Sequence, residues 1–534
     1  MDRRWIALLV LGAALSGCAA APEPPPGPAP PPEVRSIENQ GALKAATWRA
    51  AAKAEAQRLA RLRAAIRRAH RSPTVSGALR YALLTQRISP GGHARLTRDY
   101  AAARSAVGRL TGARAAELGS VVATIDSLAA QHLLSPGRLR PTFLILHRNT
   151  EFWTHAPFPA PSQRTTFGRD PAVFQYYPGR GIQLQPLASW GKANWLARQC
   201  LRTRARARRR AGCPVAQLRR TIDRLLGLAA PRGDFIAWEH YFSWGGGTPP
   251  WISGMTQATA VSALARASRA LDDPRWRRAA DRALGSFTTP PPVGVDGGDH
   301  FLMYSFAPTM RVFNGELQAV SGIGQLAALF PRDQLAGRLF RRGERTARHM
   351  IPASDTGAWS LYSYGGQEST LGYHQLIEGF FEDMCEQTLR RVYCAAHDRF
   401  ARYEREPTRI TIAPLRKLRA RHPTAVRFSI SKVSSVTVQL FDKHGLEMSR
   451  GLELPHGPHA IGWTPPARGR YRVRIAAQGP SGPLGVTTRK VEVVLPKPKP
   501  KKACGKTKRR VVSPPRRGAG STGCGRGPAA ARPR

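Results

Sequence analysis

The sequence predicts a mainly α protein, an (α/α) toroid-like domain of stacked helical hairpins followed by an Ig-like or fibronectin-like β-sandwich. Three observations carry this. Helix-like segments between about 187 and 404 come in pairs, the first member rich in small residues and apolar nearly all round, the second with an arginine-studded face. The first members begin near 187, 254, 313 and 371, a spacing of roughly 60 residues that reads as an architectural repeat of inner helices. After about 407 the pattern changes to strict apolar/polar alternation broken by turn residues.

Taken in order, the chain starts MDRRWIALLVLGAALSGC, a basic stretch, a short apolar run and Leu15-Ser16-Gly17-Cys18. This resembles the bacterial lipoprotein signal, in which cleavage leaves Cys18 lipidated at the new amino terminus; an ordinary secretory signal is the alternative, and both imply export. Residues 1–18 are thus read as signal peptide and 19–38, with AAAPEPPPGPAPPPEV, as a stiff proline-rich linker. Residues 39–145 read as an N-terminal helical region with a packing or docking role, a basic membrane-surface helix being the alternative. The helical-hairpin domain occupies 146–406 and the sandwich, seven short strands, 407–496. Residues 497–534 contain no Asp or Glu and read as a disordered basic tail.

Lys and Arg outnumber Asp and Glu by 83 to 34, a formal net charge of +49, and such a field concentrates polyanions. Nucleic acid is not the expected partner, because no RNP, zinc-finger or recognition-helix signature is present and the address is extracellular. Anionic glycans, teichoic-type polymers and lipid headgroups remain, with the membrane reached through the lipid anchor on its outer face. No motif fixes an oligomeric state. Beyond Cys18 the cysteines fall into close pairs, Cys200 with Cys213, Cys385 with Cys394 and Cys504 with Cys524. Six thiols in an oxidising compartment favour local disulfides, although 15 pairings are formally open. No spacing matches a zinc motif, and nothing calls for a metal or organic cofactor.

The segments leading into the four inner helices are VFQYYPGRGIQLQP, HYFSWGGGTPPWISG, HFLMYSFAPTMRVFNG and SLYSYGGQESTLG. All are dense in aromatics, glycine and proline. Parallel inner helices would open these loops at one end, so phenols and indoles from distant parts of the chain would line one concave floor, with helix N-termini facing an anionic ligand.

WISGMTQATAVSALARA, VFNGELQAVSGIGQL, SDTGAWSLYSY and GYHQLIEGF, in that order, resemble the C-terminal α/α domain of the D-glucuronyl C5-epimerases that act on heparosan-type polysaccharides. The resemblance covers roughly 250 to 385. It implies inversion at C5 of a uronic acid within a polymer: one group removes the proton α to the carboxylate, and a second returns one to the opposite face. It also implies catalytic roles for Tyr304, Tyr362 and Tyr373, phenols that can act as bases where cationic neighbours lower their pKa. Met303 and Gly365 stand where the heparan-type enzymes have glutamate and arginine. Arg180 and Arg311 are the expected substitutes for a carboxylate clamp, His374 a partner for Tyr373, Glu368 the nearest loop carboxylate, and Tyr364 a further sugar contact. The expected function is that of a C5-epimerase-like enzyme acting on an extracellular uronate polymer. A lyase expelling the C4 substituent from the same anion, and a non-catalytic glycan-binding lipoprotein, are the alternatives.

The anchor reading gives a direct expectation. Cys18→Ser should move the protein from the membrane fraction to the soluble fraction; persistent membrane association after the substitution would shift the anchor to the basic helices beyond residue 40.

Overall fold

The computed structural model describes residues 32–205, 212–415 and 418–496. The signal stretch with Cys18, most of the linker, Cys504, Cys524 and the basic tail lie outside the described residues. The chain divides into two compact units between Glu404 and Arg405. The first is helical and the second carries β-sheet, so the protein is mainly α with a C-terminal sheet domain.

The first unit begins with α1 (Pro32–Arg71), α2 (Val75–Leu84), α3 (Pro90–Arg109), α4 (Gly112–Ala130) and α5 (Leu139–His155). Local sequence sets the helix starts: Thr74 and Ser89 accept from the amides of Gly77 and Gly92, and Pro90 takes the first position of α3, where no amide hydrogen is needed. Helix α1 already starts at Pro32, inside the stretch read as linker, and α5 runs ten residues past the expected limit at 145, to His155. A three-stranded sheet follows, β1 (Arg164–Thr165), β2 (Phe174–Tyr177) and β3 (Gly181–Leu184). The β2–β3 hairpin and α2–α5 share one core, with Leu118, Ile125, Phe143 and Trp153 packed in a cluster with Phe174, Tyr176 and Ile182. The N-terminal helices are therefore the bed on which the first aromatic loop rests.

Four hairpins come next: α6 (Pro186–Ala205) with α7 (Val215–Leu226), α8 (Gly254–Leu271) with α9 (Pro274–Leu284), α10 (Phe313–Leu329) with α11 (Gln334–Ser354), and α12 (Leu371–Thr388) with α13 (Arg391–Arg405). Strands β4 (Ala230–Arg232) and β5 (Phe235–Ala237) lie between the first two. Helices α6, α8, α10 and α12 pack in sequence as a row. The middle pair is buried almost all round because small residues allow close approach: a Cβ on Gly322 of α10 would stand 2.5 Å from the Ala258 carbonyl oxygen of α8. Helix α12 departs from the expected all-round burial, since only His374, Ile377, Phe381 and Met384 on one of its faces are buried. It packs on α10 and meets α6 through an ion pair. Buried Arg266 of α8 ties the row together, donating to Asn194 of α6 and Gln325 of α10 at 2.6 Å each, and burial pulls its guanidinium down to about 10. Arg198 of α6 pairs with Asp383 of α12 at 2.9 Å. Disulfides Cys200–Cys213 and Cys385–Cys394 clip α6 to the segment before α7 and α12 to α13.

The second unit has eight strands among the described residues: β6 (Ile410–Ile412), β7 (Leu418–Arg419), β8 (Thr424–Ile430), β9 (Ser434–Phe441), β10 (Leu446–Leu454), β11 (Gly457–Trp463), β12 (Gly469–Gln478) and β13 (Gly485–Val494). They form a five-stranded sheet ordered β10-β9-β12-β13-β7 and a three-stranded sheet ordered β11-β8-β6. Alternate residues of both sheets, Val438 and Ile475 from one and Val426 and Phe428 from the other, meet in a single core. Strand β7 was not anticipated, because two residues give no alternation to read.

One buried carboxylate governs the first unit. Glu239, following β5, accepts a two-pronged bond from Arg138 at 2.7 and 2.8 Å, a third from Arg232 at 2.7 Å and a fourth from the Tyr241 hydroxyl at 2.9 Å. Burial opposes its ionisation, but Arg138 and Arg232 outweigh that and hold the carboxyl below its ordinary range. Glu239→Ala leaves two part-buried guanidinium groups without their acceptor and should cost about 3–5 kcal/mol, read as a lower thermal midpoint. The folded pKa lies below the ordinary value of 4.5, so this contribution is complete above that pH and is lost on acidification below it. The difference between variant and parent should shrink correspondingly in acid.

Candidate active site

The four aromatic segments are stitched to one another. Arg180, at the β2–β3 turn, donates through Nε to the Ser243 carbonyl, and Tyr177 packs on Phe242 with ring centroids 4.5 Å apart, joining the first loop to the second. Ser305 closes the second onto the third, its amide donating to the Ile252 carbonyl at 3.0 Å and its hydroxyl accepting from the Ile252 amide at 3.2 Å. The third meets the fourth where Val312 bridges Ser363 and the Phe313 amide donates to the Tyr362 carbonyl at 3.3 Å. Glu117 of α4 organises the first loop from below, accepting from the Tyr176 hydroxyl and the amides of Gly179 and Gly181, each at 2.7 Å. Gly254 permits one close approach, since a Cβ there would lie 2.4 Å from the Leu302 carbonyl oxygen.

This stitching brings the three predicted phenols together. Tyr362 and Tyr373 meet edge to face with centroids 4.8 Å apart. Tyr304 stacks on Phe306, meets Trp251 edge on at 5.3 Å and shares the Met255, Met303 and Val312 cluster with Tyr362. The fourth loop reaches this floor because Gly365 adopts φ 62°, closing a turn in which the Gly366 amide donates to the Ser363 carbonyl and the Tyr362 amide to the Gln367 carbonyl.

The electrostatics differ from expectation. Burial and the neighbouring phenols Tyr373 and Tyr304 push Tyr362 up to about 12, and burial also raises Tyr304 despite the Trp244 indole directed at its hydroxyl. No cation figures among the causes of either shift, so both stay protonated near neutrality.

The remaining predicted residues are placed less favourably. His374 is fully buried between Trp359 and Phe400, with Nδ1 bonded to the Ser360 hydroxyl at 2.8 Å and Nε2 to the Phe400 carbonyl at 3.1 Å. It is a core histidine rather than a substrate contact. Arg311 is held by Glu316 at 3.4 Å and Asp299 at 3.7 Å, with its guanidinium 5.0 Å over the exposed ring of Tyr364. The expected clamp is therefore already engaged by the Asp299 carboxylate and the Glu316 carboxyl group. Arg180 is similarly spent on the carbonyls of Ser243 and Pro178. Glu368 bridges Leu361 within the fourth loop, and its position there is structural. Met303, where the resembling enzymes have glutamate, is buried beside Met255 and Val312.

Sequence reasoning missed a cavity of about 110 Å³ between the second and third loops, with Tyr177, His240, Trp244, Trp251, Thr256 and Tyr304 in its wall. Most of these residues lie in the aromatic segments quoted above, and that density was their signal. Glu316, two residues beyond Asn314, was also missed; it is buried in the first turn of α10.

These features define a class: an aromatic, phenol-rich cleft on a helical-hairpin scaffold. Residues 232–402 match the family described as D-glucuronyl C5-epimerase C-terminus. The D-glucuronyl C5-epimerase of Caenorhabditis elegans is 28% identical over 130 residues, which cover 21% of this chain and 21% of that protein. The chain thus spans about a fifth of the length of the curated relative it matches. Residues 232–402, which hold the last three helical hairpins, are thus similar to the C-terminal domain of these epimerases. The structure of cellobiose 2-epimerase from Spirochaeta thermophila is similar at 15% identity with a TM-score of 0.32, covering 50% of this chain and 68% of that one, too distant a likeness to carry an argument.

Burial pushes Glu316 up to about 8 in spite of Arg311. Unfolded, it titrates near its ordinary 4.5, so between these values the folded chain keeps a proton that the unfolded chain has lost, and stability declines as pH rises through that window. Glu316→Gln should flatten this decline, measured as thermal midpoint against pH.

Proposed function

We propose that the protein is a C5-epimerase-like enzyme acting on uronic acid residues of an anionic polysaccharide. The observation that carries this reading is the convergence of Tyr304, Tyr362 and Tyr373, from two loops and the start of α12, on one floor. In the proposed reaction Tyr373, the most exposed of the three, acts as its phenolate and accepts the C5 proton, becoming a neutral phenol, and the electron pair passes to the uronate carboxyl as an enediolate. Tyr304, held protonated by burial, returns a proton from the opposite face and is left as the phenolate. Neutral hydroxyl donors aimed at the developing charge stabilise it in a site from which water is partly excluded.

A second reading is favoured by a specific observation. The apolar setting of Met303 and the prior engagement of Arg311 weaken the grip on a carboxylate, which suits a non-catalytic glycan-binding relative. Around this site we further propose closure of the helical row as an (α/α) toroid, an Ig-like sandwich in the C-terminal unit, and attachment to the outer face of the cell membrane through Cys18.

Incubation of the protein with uronate polymers in D2O tests the function. Epimerisation incorporates deuterium at C5 without shortening the chain, lyase action creates an ultraviolet-absorbing double bond, and a binder does neither. Tyr373→Phe and Tyr304→Phe should each lower exchange-coupled inversion by roughly 10²- to 10⁴-fold while changing glycan affinity little. Full inversion in both variants would rule out the phenol mechanism.

A further inference from the structure

Helix α1, the longest among the described residues, has no part in the cleft. Its foot is fastened: Ala69 is buried, and the His70 ring meets Tyr81 of α2 edge on with centroids 4.9 Å apart. The rest stands clear. Every residue from 44 to 63 is exposed, a stretch of about 30 Å at 1.5 Å per residue. Within it Trp48 is 77% exposed, Leu59 39% and Leu62 37%, apolar surface that nothing in the first unit covers.

The exposure is patterned. At about 100° per residue, Trp48, Leu59, Leu62 and Ile66 fall in one sector about 60° wide along the helix. Residues 44–71 also carry nine Lys or Arg and one acid, Glu55, which pairs with Arg58 at 2.7 Å. The other eight cations are exposed. Lys44 alone lies within the apolar sector, and Arg58 and Arg63 stand on its two flanks. The helix is thus amphipathic in an unpartnered setting, with a narrow apolar stripe framed by positive charge.

We propose that α1 is a docking surface for an anionic lipid bilayer, lying along it with Trp48, Leu59 and Leu62 between the headgroups and its arginines and lysines on the lipid phosphates. Two needs select this partner. The stripe needs an apolar partner and the cations an anionic one, and a charged bilayer supplies both within one surface. A soluble anionic glycan satisfies the cations but leaves Trp48 in water. A second copy of the helix covers the stripe but sets Arg58 and Arg63 beside their like on its flanks. The surface lies outside residues 232–402, so it stands independently of the epimerase reading. It complements the proposed lipid at Cys18, 14 positions before Pro32, because stable anchoring takes more than one signal and an acyl anchor with a basic patch provides two.

Co-sedimentation with vesicles tests this, using the chain without residues 1–18, which keeps every described residue and removes the apolar run and the lipidation site. Vesicles of equal parts phosphatidylglycerol and phosphatidylcholine should bind the protein at low salt and release it as salt rises, and vesicles of phosphatidylcholine alone should not bind it. Lys53→Gln, Arg61→Gln and Arg63→Gln combined should weaken binding by roughly a hundredfold, about fivefold per cation. Trp48→Ala and Leu62→Ala combined should weaken it by about tenfold or more while leaving affinity for a heparin-like polyanion unchanged. The basic tail is the same in parent and variants, so these differences belong to α1. All five positions are exposed, and the thermal midpoint should stay where it is. Vesicle binding that falls with the charge variant but not with the apolar variant would make α1 a polyanion tether and overturn the proposal. So would equal binding to neutral vesicles, unchanged vesicle binding in both variants, or self-association of the parent that the apolar variant abolishes.

Discussion

The shared carboxylate of Glu239 is the constraint on which the cleft depends. It sits one residue before His240 and is gripped by Arg138, ahead of α5, and by Arg232 of β4. The second aromatic loop is thereby fastened to the N-terminal helices before any ligand arrives. Glu117 does the same for the first loop, collecting two glycine amides and a phenol. In a chain with 83 basic and 34 acidic residues, carboxylates are the scarce partner, and the structure uses them as hubs. Asp170 serves Arg148 and Arg224, Asp273 serves Arg219 and Arg275, and Asp355 serves Arg399 and the Tyr403 hydroxyl. Much of the basic excess is therefore not neutralised locally, but the part that is does structural work at element junctions.

The repeat and the strand alternation were legible because both are local periodicities. The inner helices begin at Pro186, Gly254, Phe313 and Leu371, as the change from loop aromatics to small residues implies. The phenols were legible through resemblance and through the density of aromatic residues. What could not be read were contacts between residues far apart: Arg138 and Glu239 are separated by 101 positions, and Tyr176 and Glu117 by 59. The same limit explains His374, whose neighbour Tyr373 lies on the floor while its own side chain points a helical quarter-turn away into the core. It also explains Arg311, since nothing local reveals that Glu316 and Asp299 converge on it.

The phenols carry a further lesson. A cluster of tyrosines suggests activated phenolates only when cations accompany it, and here the accompanying groups are indoles, thioethers and other phenols. Burial then works in the opposite direction at Tyr304 and Tyr362 and keeps those two hydroxyls protonated. Those two phenols are therefore hydrogen-bond donors rather than bases near neutrality.

The contact between Gly322 and the Ala258 backbone lies in the middle of the helical row, away from the loops. Because α8 and α10 carry the second and third loops at their starts, the separation of the helices at this crossing also determines the gauge of the cleft. A single methyl group at the crossing would act like a shim, widening the floor by leverage without touching any residue that meets a ligand. The width of the cleft is thus adjustable from within the scaffold, at a crossing where glycine, alanine and serine pack helix against helix.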